Sequence, residues 1–205
     1  MFVRGRVHAA YHQFHLTDPN APALGHFGLP TNGIALALPG TVVIFTGIHT
    51  GPVALSVALY PVPPRTVDVD HTNWDEVVEI SMRSLEGSVR VVGGPTSGAA
   101  MEFPVLTPDG AGDYRMRIHA RGRDTDVDGV AVEPFECYLI QVWPQRFVPE
   151  KVFKSTDEYG HGIRHAALTA PPVESTSPPD SGLDPRRAEQ EANLQGRLGR
   201  TPWEG

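Results

Sequence analysis

Residues 113–144 constrain the fold more than any other part of this chain, because they have the pattern of two long β-strands joined by an acidic loop. Apolar and basic side chains alternate over residues 114–119, and this period of two predicts a strand with one buried and one solvent-facing side. Residues 135–142 are apolar on nearly both sides, as expected for a central strand. Pro144 ends that run, because proline lacks the N–H group that a sheet ladder requires.

Short apolar runs recur through the preceding part of the chain, separated by turn sequences rich in glycine, proline and asparagine. Residues 73–83 fit either a helix or a strand, and their β-branched residues favour the strand. The other predicted strands are residues 3–16, 34–38, 41–46, 53–60, 88–92 and 101–106. Strands at this spacing predict an all-β domain over residues 1–155, an antiparallel β-sandwich or a flattened barrel.

The pattern changes after that domain. Residues 156–184 are predicted to be a flexible linker, much of it rich in proline and serine. Residues 185–198 are predicted to form a short C-terminal helix, with Asp184 as its N-cap. Residues 199–205 are predicted to be a disordered tail, in which Trp203 is a candidate docking residue.

Charge and cysteine content limit the classes of partner and compartment. The net charge is −7, and residues 1–150 contain 16 acidic and 10 basic side chains. A surface of this sign disfavours direct binding to nucleic acid or to an anionic membrane and favours a basic protein partner. One cysteine, together with no apparent signal peptide or membrane-spanning run, predicts a cytoplasmic protein. Oligomeric state does not follow from these properties.

The acidic loop carries the clearest candidate site. Asp124, Asp126 and Asp128, followed by Gly129, form the D-x-D-x-D-G opening of a calcium loop. The twelfth position of an EF-hand loop counted from Asp124 is Phe135, where a bidentate glutamate is required, so the full motif is excluded. We expect a solvated loop that binds a protein partner, without a cofactor. The alternative is that the three aspartates bind calcium.

A second acidic region follows the first 65 residues. It spans residues 68–79 and contains no lysine or arginine. Its members could extend the partner-binding surface of the acidic loop. The candidates are Asp68, Asp70, Asp75 and Glu76.

No sequence motif for catalysis is present, and the chain is predicted not to be an enzyme. Neither a nucleophile elbow nor a phosphate-binding loop occurs. On a single strand His8 and His12 would project opposite to His15, which disfavours a zinc site built from these three. An enzymatic alternative would need convergent polar groups, and the candidates are His12, Gln13, His119 and Glu136.

Three segments resemble the competence protein J family of DNA-entry nuclease inhibitors. They are H-Q-F-H-L-T-D at residues 12–18, E-F-P-V-L-T-P-D-G-x-G-D-Y-R-M-R at residues 102–117 and E-C-Y-L-I-Q-V-W-P at residues 136–144. The similarity extends over about residues 3–150. It implies a small bacterial β-sandwich protein, cytoplasmic and non-enzymatic, that binds and blocks a nuclease.

The acidic loop is consistent with that implied function. A nuclease binds a polyanion in a basic cleft, so clustered carboxylates can steer association and compete with phosphate. Two alternatives remain: a calcium- or small-ligand-binding β-sandwich module, and a scaffold or cargo protein that docks through its C-terminal peptide.

Overall fold

The computed structural model describes residues 1–65, 71–93 and 103–170, and these ranges form ten β-strands and one α-helix. The strands are β1 (Phe2–Ala10), β2 (Gln13–Thr17), β3 (Ala35–Leu38), β4 (Thr41–Phe45), β5 (Thr50–Leu59), β6 (Glu76–Ser84), β7 (Arg90–Val92), β8 (Gly112–Arg121), β9 (Cys137–Pro144) and β10 (Lys151–Ser155). The helix is α1 (Glu158–Thr169). In the described ranges, no helix has the length and apolar character needed to cross a membrane.

All the described strands belong to one curled sheet. Its order is β10-β6-β8-β9-β5-β1-β2-β4-β3, and β7 pairs with β2 outside this path. The all-β prediction is confirmed, but the prediction of an antiparallel sandwich is wrong, because β5 and β9 pair in parallel. A parallel pair needs a long crossover, and here the connection contains three other strands. The sheet is therefore mixed, and it curls into a half-barrel.

Hydrogen bonds near the strand ends hold the curl. In the turn between β3 and β4, the Gly40 N–H donates to the Arg83 carbonyl of β6 at 3.1 Å. Asp18, buried after β2, accepts from the Ser84 hydroxyl at 3.0 Å and from the Leu85 N–H at 2.6 Å. The curled sheet encloses the main apolar core, which includes Phe14, Leu16, Ile44, Leu55, Ile80, Met116, Ile118 and Ile140.

The strand predictions hold for the centre of the sheet and fail at its first hairpin. β8 and β9 pair in antiparallel register as predicted, and residues 76–84 form a strand rather than a helix. The predicted strand over residues 3–16 is instead two strands, with a turn at Tyr11 and His12. Neither residue type is typical of turns, so the alternating pattern gave no sign of a break.

The basic side of β8 was predicted to face solvent, and this is wrong. Arg115 is 3% exposed, Arg117 is 2% exposed and His119 is fully buried. The chain after β9 covers them: Arg115 donates to the carbonyls of Val148 and Pro149 at 2.9 and 3.0 Å. Both arginines also pair with Glu79 of the neighbouring strand. On this side of β8, ion pairs with Glu79 therefore take the place of contact between the arginines and water.

Helix α1 lies within residues 156–184, which were predicted to be a linker, so that prediction is wrong for its first part. Ile163 of the helix packs on Val43 and Phe45, on the side of β4 that faces away from the main core. The glycines at 160 and 162 each lower helix propensity by about 1 kcal/mol, which hid the helix in the sequence. Residues 171–184, the predicted helix 185–198 and tail 199–205 with Trp203, and Asp68 and Asp70, lie outside the described residues.

Candidate functional site

The acidic loop between β8 and β9 is fixed at its start by a buried arginine. Arg123 is 0% exposed, and its Nε and Nη2 donate to the Asp157 carboxylate at 2.6 and 2.9 Å. Its Nη1 donates to the Gly33 carbonyl at 2.9 Å, and its guanidinium lies over the Tyr159 ring. The loop is therefore attached to the first turn of α1 and to the chain before β3. Sequence patterns did not reveal this role, because an arginine next to three aspartates is typical of a solvated loop.

Two buried carboxylates extend this network. Burial acts to raise the pKa of Asp157, but the hydrogen bonds from Arg123 outweigh burial and hold that pKa below its ordinary value. Burial raises the pKa of Glu76 to about 7, although Arg164 donates to it at 2.8 Å and opposes the shift. Glu76 is fully buried, so it cannot contact a partner as predicted. Asp75 is half-buried and accepts from the Gly122 N–H at 2.9 Å.

Asp124 caps the helix rather than joining the other loop aspartates at a cation. Its two carboxylate oxygens accept from the backbone N–H groups of Glu158 and Tyr159 at 2.9 and 2.8 Å. Asp157 accepts from the Gly160 N–H at 2.8 Å, so two carboxylates serve one helix N-terminus. The predicted set of Asp124, Asp126 and Asp128 is thus divided between different contacts.

Asp124→Ala is expected to lower the free energy of unfolding by about 1 kcal/mol, because the substitution leaves two helix N–H groups without their acceptor. Asp126→Ala is the matched control: this neighbouring loop aspartate is exposed, and its loss is expected to cost less than about 0.5 kcal/mol. Urea unfolding of both variants measures the difference. Equal values for the two would show that the cap contributes nothing.

The far end of the loop is held by backbone hydrogen bonds to residues 47–50. The Asp128 N–H donates to the Gly47 carbonyl, and the His49 N–H donates to the Gly129 carbonyl, both at 2.9 Å. A Cβ at Gly47 would collide with the Arg123 carbonyl, so only glycine allows this close approach. The acidic loop is therefore fixed at both ends, with its aspartates exposed between them.

Two histidines meet the acidic loop at Asp128. His12 Nε2 lies 3.0 Å from Asp128 Oδ1, and the His12 and His49 rings are 5.0 Å apart. The Tyr159 ring stacks on His12 at 6.1 Å. Among the non-glycine residues that the structure describes, Tyr11, His12 and Asp128 have positive φ angles, and all three lie at this point. Residues held in unusual backbone conformations often mark functional sites. Tyr159 was missed because no sequence motif connects it to the loop.

An apolar groove of about 730 Å³ opens beside the acidic loop. Leu29, Val127, Tyr159, Ile163 and Ala166 line it, together with Gly162, and Asp124 and Glu158 add two carboxylates. None of these lining residues is basic. An apolar surface with a polar rim is the usual anatomy of a protein–protein interface.

Two of the polar groups considered for catalysis, Glu136 and His119, are buried. Glu136 is fully buried and accepts from the Ile48 N–H and the Tyr138 hydroxyl, both at 2.6 Å. Its burial raises the pKa of this carboxyl. His119 lies in a different environment, beside the Trp74 ring and 3.2 Å from the Leu139 carbonyl.

Comparisons with known proteins give distant similarities. No family model matches the chain. The bifunctional protein PyrR of Mycobacterium tuberculosis and of Mycobacterium bovis is 29% identical over 126 residues, covering 52% of this chain and 64% of PyrR. The chain thus spans less than two thirds of the length of these curated relatives.

Two solved structures are similar. One is ComJ from Bacillus subtilis, an inhibitor of the DNA degrading activity of NucA, with a TM-score of 0.45 and 11% identity, covering 71% of this chain and 96% of ComJ. The chain resembles ComJ. The other is the product of crocagin biosynthetic gene J, with a TM-score of 0.40 and 12% identity over 71% of this chain and 99% of that protein. The resemblance inferred from the sequence is confirmed at this distant level.

Proposed function

We propose that this chain is a non-enzymatic binding protein that blocks a basic protein partner, such as a nuclease, with its acidic loop and the adjoining groove. The observation that supports this most is the placement of exposed carboxylates on a loop fixed at both ends, beside an open apolar groove. The resemblance of its sequence motifs to an inhibitor family favours a nuclease as the partner.

The groove defines what the partner must present. Leu29 and Val127, both exposed, provide apolar contact area, while Asp124 and Glu158 contribute negative charge at the groove. Asp126 and Asp128 extend that charge along the exposed loop. A partner segment with an apolar anchor flanked by lysine or arginine complements this surface, because interface anchors are apolar and rim charges steer the encounter.

Preorganisation favours binding by this surface. Arg123 and Asp124 fix the loop to α1, and the Asp128 and Gly129 backbones fix it to residues 47–50. A surface already ordered in the free protein loses less conformational entropy when it binds. The partner therefore meets carboxylates at set positions rather than a flexible acidic chain.

The charge of this surface is tested with a double substitution, Asp126→Asn with Glu158→Gln. Neither side chain caps a helix through its carboxylate or contacts His12, so the fold is expected to persist. Using the partner captured by the full chain from the source cells, the association rate is expected to fall by about tenfold at low salt. The difference should shrink near 0.5 M salt, where screening is strong. Stopped-flow association kinetics measure both effects.

The control removes the same charge elsewhere, with Glu86→Gln and Asp109→Asn, two exposed residues that do not line the groove. Its association rate should stay close to that of the unaltered chain. The captured partner should also degrade DNA, and saturating amounts of the chain should stop that activity. Equal rates for the two double variants, or undiminished DNA degradation, would refute the proposal.

A further inference from the structure

The cluster of His12, His49 and Asp128 has the composition and spacing of a metal site. One ring nitrogen of each histidine and one carboxylate oxygen of Asp128 all lie within 4.8 Å of one another. Three different segments supply them: the turn after β1, the loop before β5 and the acidic loop. Two imidazoles and one carboxylate are a donor set that suits zinc and neighbouring divalent transition metals.

Each histidine has a protein partner at Nδ1, so Nε2 is the ring nitrogen available to a metal ion. His12 Nδ1 lies 3.2 Å from the Gly47 carbonyl, and His49 Nδ1 lies 2.8 Å from the Thr50 hydroxyl. A carbonyl only accepts, so the His12 tautomer with its proton on Nδ1 donates to Gly47 and leaves the Nε2 lone pair facing Asp128. Metal-binding histidines usually donate their other ring N–H to a carbonyl or carboxylate in this way.

In that tautomer, His12 and Asp128 present two acceptor atoms to each other. With its proton on Nδ1, neutral His12 presents a lone pair from Nε2 to Asp128 Oδ1 at 3.0 Å. A cation bound between these two atoms would satisfy both of them. Two ligands bound at about 2.0 Å to one tetrahedral ion lie about 3.3 Å apart, close to the distance found here.

We propose that His12, His49 and Asp128 bind one divalent transition metal ion, with Zn²⁺ as the best match, and that the ion joins the acidic loop to the turn between β1 and β2. The Asp128 side chain is 75% exposed, so the fourth coordination position is open to water. The positive φ angles of His12 and Asp128 keep their side chains at this point. This site goes beyond the proposed inhibitor function. The two share Asp128, but metal binding requires no protein partner, and the partner is tested through Asp126 and Glu158 instead.

Binding of the metal alone tests the proposal on the untagged full-length chain. Co²⁺ is expected to bind with 1:1 stoichiometry and give the visible absorption bands of a low-symmetry site, and Zn²⁺ is expected to displace it and raise the melting temperature. His49→Gln and His12→Asn should each weaken Zn²⁺ affinity by about tenfold or more in calorimetry. Asparagine is used at position 12 because it tolerates a positive φ.

The control is His26→Gln, which removes an exposed histidine outside the cluster. It should bind Zn²⁺ as tightly as the unaltered chain, and circular dichroism should show that all variants remain folded. Absence of stoichiometric Co²⁺ binding would overturn the proposal and leave a direct contact between His12 and Asp128. Equal weakening by His26→Gln, or no weakening by either ligand variant, would overturn it as well.

Discussion

Arg123→Met is expected to lower the free energy of unfolding by about 3–5 kcal/mol, because it leaves the Asp157 carboxylate buried without its counter-charge. The side chain at position 123 has no solvent exposure, and it donates to two carbonyls besides Asp157. Methionine has a similar length but no donor, so those acceptors also lose their partner. Urea or thermal unfolding measures the loss.

Arg121→Met is the matched control, since this arginine belongs to the same segment but is exposed. Its substitution is expected to cost less than about 1 kcal/mol. Adding Asp157→Asn to Arg123→Met should recover part of the loss, because the amide removes the unpaired charge and asparagine still caps a helix. Similar costs for the two arginine variants would contradict a central role for the buried pair.

The stability contributed by His119 is expected to be lost as the pH falls. Burial lowers the pKa of this imidazole to about 4 from 6.5, and the neighbouring His71 and Arg117 act in the same direction. Between these values the unfolded chain binds a proton that the folded protein does not, so stability decreases as the pH falls from 6.5 towards 4. At 1.36 kcal/mol per unit, this amounts to on the order of 2–3 kcal/mol by about pH 4.5.

The comparison with His119→Gln isolates this effect, because glutamine does not titrate and its amide can still donate to the Leu139 carbonyl. Glu76 acts oppositely: its raised pKa makes stability increase as the pH falls from about 7 to 4.5, in both proteins. The stability difference between the unaltered chain and His119→Gln should therefore change by about 2–3 kcal/mol between pH 7.5 and 4.5. A difference that is constant with pH would show that burial does not shift this histidine.

Sequence periodicity predicted the elements that obey local rules. The central pair β8 and β9 follows from alternation and from a doubly apolar run, and the turn sequences located most of the remaining strands. Periodicity does not determine which strands become neighbours. The parallel pairing of β5 with β9, residues 54–59 with residues 137–142, depends on long-range packing and was not predicted.

The candidate site was predicted only in part. Its acidic residues are close together in the sequence, whereas the residues that they contact are distant in the sequence. The three loop aspartates were identified from their spacing, but the cap that Asp124 forms depends on a helix 34 residues later. Gly160 explains why that helix was hidden. A Cβ there would collide with the Arg123 guanidinium as well as with the Asp157 cap, so the tertiary contact requires a residue that helix propensity disfavours. Arg123 was missed because its partners, Asp157 and Gly33, are distant from it in the sequence.

The position of β9 between β5 and β8 has a consequence for folding during synthesis. Residues 137–142 of β9 pair with β5 and are synthesised about 80 residues after it. While the intervening chain is being made, β5 is therefore paired with β1 on one side only. An open edge of this kind can pair with another chain, and non-local pairings form slowly. The nascent chain is thus most prone to self-association before β9 emerges from the ribosome, and chaperone binding should concentrate in that interval.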